Sequence, residues 1–532
     1  MVNMALGLIF IPMILAILIY LLDTRMVNRL SLLIQPVLLA MTLYLVYKLF
    51  FNGGVYFVLG GWDRGVGIPL RVDQKSLIFM VMTVIGVTYF ISFDWTAHRD
   101  DHKYLFFILF LQGSLMALFQ AADIFTLFIL LELITILAGI LITYEKEGIS
   151  VKAGLYYLLI NSVGMTIYLM GVILLYNSVG VLDMGLIQEA VGSGPMTALQ
   201  CAALGCFITA FAVKTAMFPV SSWLPLAHGS APTQMSALLS GLLVKLGIYS
   251  LMRFMEIFSS QAYLHLILVL GVSTAIFGVG MAMLQSDIKL ILAYHTVSQM
   301  GLIIMGLASG KYEGFVGSLL HDVNHFLFKS LLFLGSGVVI YLYGSRDVRQ
   351  IRGVLKNQPV IGYALLIGVL GITGAPLFDG SLSKILIEES FIGRIGYFII
   401  LFVNLGTILS FMKFSQIFFG YTDRQVKIPV NRWKKNTVVV MALVMLVTYP
   451  LELIYFDGPW TEVHFTTKSL LKGAAEFALL FGVAYILLKR VLKPLLVKYP
   501  NLGKHRLGFQ EANSMVLIFL GSLWGYFLYL VP

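Results

Sequence analysis

Uninterrupted apolar runs of roughly 20 residues, the length a helix needs to cross a bilayer, recur from one end of this 532-residue chain to the other. Only short polar breaks separate them, which leaves no room for an independent soluble domain. The runs fall at 4–22, 29–51, 75–93, 104–120, 122–142, 153–176, 199–217, 235–255, 262–284, 288–307, 313–343, 360–391, 395–419, 437–456, 470–488 and 512–531. The expected fold is therefore an all-α polytopic membrane protein of about 16 transmembrane helices. A composition of 59% hydrophobic and 12% charged residues agrees, being more apolar and less charged than a soluble domain. The first run opens at Met4 with no basic segment before it and no small-residue cleavage site, so it is expected to stay as a span.

A net charge of +10 could suggest nucleic acid. The placement of the basic residues argues against it, since more than half of the 36 Lys and Arg lie in alternate loops, beginning with "DTRMVNR". This is the positive-inside pattern, and it predicts a multi-pass protein of the cell membrane with both termini on the extracytoplasmic side. Cys201 and Cys206 are too few for a disulfide framework or a cluster cage and read as small packed residues. No cofactor or metal is expected on the chain.

Against this apolar background, ionisable groups inside the runs demand a reason. Each costs at least about 2.5–3.5 kcal/mol to insert at the bilayer centre. Lys214, Lys245, Lys329 and Lys384 all lie well inside predicted spans. Glu132, in "DIFTLFILLELITILAGIL", needs a partner, and Lys214 is the obvious one. "HDVNHFLFKS" carries His321, His325 and Lys329 at successive four-residue steps, which puts them on nearly one helix face. His295 adds a third intramembrane histidine, followed by Thr296 and Ser298. Lys384 precedes Glu388 by four residues, a spacing that allows a local pair on the helix surface. Histidine titrates near neutrality. Glu132, Lys214, Lys245, His295, His321, His325, Lys329 and Lys384, with water between them, would make a proton-conducting chain.

Two spans look broken, one by Pro219 and Pro225 after Lys214, the other by Gly374, Pro376 and Gly380 before Lys384. Paired interruptions in corresponding parts of two halves point to a transport site on inverted repeats. "VYFVLGGWDRGVGIPLRVD" reads as an extracytoplasmic hairpin that caps a surface. After residue 484, "YILLKRVLKPLLVKYP" is apolar on one side and basic on the other, fitting an interfacial helix end or a docking surface. Haem ligation by His321 and His325 is disfavoured, because two histidines four apart on one helix cannot reach opposite haem faces.

Taken as an ordered set, "GGWDRGVGIPLRVD", "FILLELITILAGILI", "FAVKTAMFPVSSWLPLAHGSAPTQMSALLSGLLVKLGIYSLMR", "QSDIKLILAYHTVSQMGLI", "HDVNHFLFKSLLFL" and "GAPLFDGSLSK" resemble a known family. It comprises the antiporter-like transmembrane subunits of respiratory complex I, Mrp-type cation/proton antiporters and energy-converting membrane-bound hydrogenases. The resemblance implies a 14-helix core with two inverted five-helix repeats and two broken helices. The chain then divides into 1–103 with the hairpin, a first repeat at 104–255, a second at 256–420, and C-terminal helices with a basic interfacial segment at 421–532. By resemblance, Glu132 and Lys214 form a switching ion pair and Lys245 is the central relay. His321 and His325 link the half-channels, Lys384 is the exit-side group, and Lys329 is the lysine of the HxxxK pattern. Two positions depart from the commonest pattern: Leu226 stands where many members carry an acid, and His295 where many carry Ser. The missing acid removes the expected partner of His228, which then reads as a loop residue.

The expected function is proton translocation, with Na⁺ coupling open, as a subunit of a redox-driven membrane complex. The chain is not an enzyme on its own. The alternative is a subunit of a multi-subunit Mrp-type Na⁺/H⁺ antiporter without a redox partner. Either way its partners are other membrane subunits, protons and the lipid bilayer, with Na⁺ left open and no role for nucleic acid.

Overall fold

With no water available in the bilayer core, a chain this apolar satisfies its backbone polar groups within helices. A computed structural model describes residues 1–146, 148–192, 195–258, 261–421, 430–457, 465–498 and 508–529. Among them, 14 helices are long and apolar enough to cross a membrane, and His102–Leu118 and Pro359–Thr373 are shorter apolar helices. Each of the sixteen predicted runs meets one of these elements. The last residues of the basic interfacial segment lie outside the described ones, as does part of the loop before Arg432.

In chain order, α1 is Val2–Leu22, α2 Arg25–Leu33 and α3 Gln35–Asn52, followed by strands β1 Val55–Leu59 and β2 Ile68–Val72. Then come α4 Gln74–Phe93, α5 His102–Leu118, α6 Ile124–Ile142, α7 Gly148–Val179 and α8 Ala198–Thr215. Next are α9 Trp223–Ser230, α10 Thr233–Ile257, α11 Gln261–Leu284, α12 Ile288–Leu307 and α13 Tyr312–Tyr343. The last are α14 Pro359–Thr373, α15 Asp379–Glu389, α16 Ile395–Phe414, α17 Arg432–Asp457, α18 Thr467–Leu487, α19 Lys493–Lys498 and α20 Phe509–Tyr529.

One local device occurs twice. Asp123 caps α6 by accepting from Phe125 N and Thr126 N, and Asp287 caps α12 by accepting from Lys289 N and Leu290 N. Each capping residue also forms an antiparallel bridge at the same sequence separation, Asp123 with Asp183 and Asp287 with Asp347. The flanking backbone bonds match as well: Ile124 N to Leu182 O at 3.0 Å, Ile288 N to Arg346 O at 2.9 Å. Five spans intervene between the two caps, so they lie on opposite membrane faces. The repeats are inverted.

Both broken helices form, though the first breaks differently from expectation. α8 ends at Ala216 with φ 56°, and the chain resumes as α9 after Pro219. Pro225 does not interrupt anything; it sits in the first turn of α9, where a missing N–H costs no helical bond. α14 ends at Gly374 with φ 74°, a left-handed cap that glycine adopts without strain, and α15 starts at Asp379. A π-helical turn at Leu239–Leu243 inside α10 had no sequence signal.

The hairpin caps one face, as expected. β1 and β2 pair antiparallel from Val55↔Val72 to Leu59↔Ile68. Arg64 reaches Asp183 at 2.7 Å, and Arg253 grips Asp73 through two hydrogen bonds of 2.7 and 2.9 Å. Burial raises the proton affinity of Asp73, but the Arg253 guanidinium outweighs it and holds the carboxyl down at about 2. On the opposite face, His98, Ser150, Thr233, Lys289, Arg346 and Lys434 line a funnel of about 1060 Å³. The C-terminal helices span both repeats: α18 packs on α16, whereas α20 packs on α8 and α7. There Trp524 Nε1 donates to Ala202 O at 3.0 Å.

Candidate ion-conducting site

The site is assembled around α13, whose central polar residues are sealed from all surfaces of the chain. His321, Asp322, Asn324, His325 and Lys329 each have 0% exposure. Facing them, the π turn of α10 brings Lys245 to the centre. Close approach is possible because Gly241 has no side chain; a Cβ there would lie 2.7 Å from Ser330 Oγ. Lys245 Nζ sits 2.8 Å from His325 Nδ1 and 3.8 Å from Asp322 Oδ1. A lysine thus stands between a base and an acid, both fully buried.

Asp322 was not among the sequence candidates, although it lies inside "HDVNHFLFKS". Its signal was the same as theirs: a charged residue in an apolar span is costly. Counting four-residue steps along one helix face passed over it, because its partner comes from another helix.

The remaining candidates fall into patches around this centre. His321 Nδ1 meets Ser383 Oγ on α15 and its Nε2 meets Gln299 Oε1 on α12, both at 2.9 Å. Lys329 Nζ donates to Leu292 O at 2.6 Å, one turn before His295. His295 Nε2 bonds Ser410 Oγ on α16 at 2.5 Å, and Thr296 bonds Ser240 across to α10 at 2.7 Å. Lys384 Nζ donates to Ile372 O at 2.8 Å, a carbonyl in the last turn of α14 that the helix break leaves available.

The expected Glu132–Lys214 pair and the Lys384–Glu388 pair that the spacing allows are both absent. Lys214 Nζ donates to Leu131 O at 3.4 Å and to the Thr135 hydroxyl, while Glu132 Oε1 accepts from Ser162 Oγ at 2.8 Å. Lys214 reaches α6, the helix that carries Glu132, but Glu132 turns to Ser162 on α7, so no ion pair forms within 4 Å and each group is engaged by a neutral hydroxyl. The local Lys384–Glu388 pair is likewise not made, since Glu388 accepts from Asn404 Nδ2 at 2.6 Å.

His228 corrects another expectation. It is not a loop residue but lies within α9, fully buried, with its ring stacked on Phe333 at 4.9 Å between centroids. Its two ring nitrogens have no hydrogen-bond partner among the described residues. Glu452 on α17 and Asp379 at the start of α15 are further buried acids with unpaired oxygens that the sequence candidates did not include.

These patches do not form one unbroken line of hydrogen bonds. They are islands of protonatable groups on broken, bulged or polar-faced helices. Such an arrangement defines an ion-translocating membrane subunit with internal inverted repeats. Over residues 121–410 the chain matches the family described as NADH:quinone oxidoreductase/Mrp antiporter, TM. It is 31% identical over 432 residues to a Na(+)/H(+) antiporter subunit of Alkalihalophilus pseudofirmus, covering 79% of this chain and 87% of that one. It is also 28% identical to the putative antiporter subunit mnhD2 of Staphylococcus aureus, over 73% of this chain and 80% of that one. The chain belongs to this antiporter-like family.

Solved structures agree on the fold. A chain of the Mrp complex from Dietzia sp. superposes with a TM-score of 0.79 at 21% identity, covering 91% of this chain and 98% of that one. A chain of the membrane-bound sulfane sulfur reductase, an archaeal respiratory membrane complex, gives 0.78 at 22% identity, with 90% and 99% covered.

Proposed function

We propose that this chain conducts protons through its interior as the antiporter-like subunit of a larger, redox-driven membrane complex. The observation that carries the proton-conducting reading is Lys245, held between His325 at 2.8 Å and Asp322 at 3.8 Å in a fully buried site. In a low dielectric, a carboxylate drawn close to a lysine favours the ammonium, and its withdrawal favours proton release. His325 accepts the proton, since neutral imidazole offers one ring nitrogen as acceptor. His321 and Ser383 carry it toward Lys384 at the second break, with water bridging the patches. At the other side Lys214 and Glu132 act as a pair that opens and closes, a reading supported by the separate hydroxyl partners each has in reserve. His295 and Lys329 hold a side branch toward α16. The funnel beside Thr233 and Lys289 is the entrance on the face with the basic loops, which we assign to the cytoplasm, both termini being outside.

Replacing Lys214 or His325 with alanine tests this reading. Reconstituted vesicles are expected to lose at least about a hundredfold in translocation, the scale of one proton-transfer group, while the complex still assembles. Full transport by either variant would refute it.

The redox-driven assembly is supported by the fold shared with a subunit of a respiratory membrane complex. The 31% relative favours a second reading, a Na⁺/H⁺ antiporter assembly without redox centres. Fe–S clusters or nickel purifying with the complex select the first; a purified transporting complex lacking both selects the second.

A further inference from the structure

Behind the central line, α13, α15 and α17 enclose a second polar cluster that none of the steps above employs. Asp379 opens α15 directly after the helix break and has 0% exposure. Its Oδ1 accepts from Gly380 N at 2.9 Å, and its Oδ2 has no partner. Asn324 donates through Nδ2 to Asp379 O at 2.8 Å, while its Oδ1 is also unpaired. From α17, Glu452 enters the same space at 7% exposure, with the Asn324 amide and the Asp379 carboxyl as neighbours. Both of its carboxyl oxygens are enclosed and without a hydrogen-bond partner.

Backbone features clear room there. A Cβ at Gly371 would lie 2.8 Å from Asp379 Oδ1, and one at Gly380 would lie 2.0 Å from Gly371 O. Pro450, inside α17 and half a turn before Glu452, has no N–H to offer Leu446 O. Around the cluster on the packed elements stand His321, Asp322, His325 and Lys329 of α13, Lys384, Glu388 and Glu389 of α15, and Tyr449 and Tyr455 of α17, while α14 carries only Tyr363, near its start. None forms an ion pair or hydrogen bond with Asp379 or Glu452 among the described residues.

Two neighbouring carboxyls in a low dielectric cannot both stand as bare anions. Either they share a proton or they hold a cation. The unpaired atoms are all oxygens, hard donors that suit a hard cation over a transition metal. Sites for coupling ions form where broken transmembrane helices free backbone carbonyls, and Asp379 lies at such a break. We propose that Asp379, Glu452 and Asn324 form a site where Na⁺ and a proton replace one another. This rests on the ion-transport reading above. With one carboxyl protonated, the pair carries a charge of −1; as that proton leaves and Na⁺ enters, two carboxylates and one cation again sum to −1. The exchange therefore buries no additional net charge.

Na⁺ binding can be read apart from transport, as the melting midpoint of the purified complex in NaCl against KCl at equal ionic strength. The midpoint should rise with Na⁺ in the wild type and equally in Lys245→Ala, whose relay is cut. It should not respond in Asp379→Asn or Glu452→Gln. In vesicles, the half-saturating Na⁺ concentration should fall roughly tenfold per unit rise in pH, the slope of one-for-one displacement, and rise at least about tenfold in either variant. If Asp379→Asn does not assemble, Glu452→Gln carries the same prediction. A Na⁺ response unchanged in the variants, a midpoint indifferent to Na⁺, or one raised by Ca²⁺ alone would overturn the site while leaving the relay standing. Transport surviving in Lys245→Ala would instead count against the relay.

Discussion

Lys245 shows at the residue scale why these charges persist in an apolar chain. A nearby counter-charge offsets part of the cost of burying an ammonium, and Lys245 has Asp322 for that role and His325 as its hydrogen-bond partner. Asp322→Asn keeps the shape and removes the charge. Translocation is expected to fall about a hundredfold or more with assembly retained on native gels; a wild-type rate would exclude a role for the acid. The lysines and histidines were legible in the sequence because an isolated charge in a 20-residue apolar run stands out. Their partners were less so, since Lys214 bonds Thr135 and Leu131 O, whose polar atoms no hydropathy pattern marks. At the surface, Asp73 gives a pH prediction. Against the cost of burial, Arg253, the Ser76 amide and Arg71 together hold its carboxyl below its unfolded value, so these contacts contribute about 2 kcal/mol above pH ~4 and lose it as pH falls toward 2. Protection factors of amides 55–72, taken against the intrinsic exchange rate at each pH, should drop across that window, and should already be lower at neutral pH in Asp73→Asn.

Among the elements, the breaks matter more than the helices. The second was readable from Gly374, Pro376 and Gly380, because glycine and proline act on the backbone wherever they stand. The first was placed too broadly: Pro225 looks like a breaker in sequence, yet it starts a helix, and the true break is at Ala216, which carries no sequence mark. The π turn before Lys245 escaped notice for a related reason, since it depends on how closely Gly241 lets α13 approach. Gly380→Ala tests the second break. Its methyl would meet Gly371 O at 2.0 Å and push α15 from α14. Overpacking of this kind costs about 1–3 kcal/mol, so the melting midpoint in detergent should drop and transport should weaken; an unchanged midpoint would show that the junction yields freely.

Over the whole molecule, two copies of one capping device on opposite faces set a pseudo-symmetric frame, and the hairpin and C-terminal helices close it. The frame was anticipated from the sixteen apolar runs and the two breaks. The return of α20 to the first repeat was not, because nothing in an apolar run says which neighbour it will choose. Trp524 fastens that return at Ala202 O. Trp524→Ala should cost about 0.5–3 kcal/mol and expose α20 to proteolysis before the rest of the chain; resistance equal to wild type would mean the contact is dispensable. The proposed proton path runs by way of the buried lysine, histidine and acid at the middle of this frame. Its most direct test is the acidification of vesicles carrying the complex with Lys245→Ala beside wild type, at equal incorporation. An assembled complex that no longer moves protons is expected, and a wild-type rate from that variant would exclude a path through Lys245.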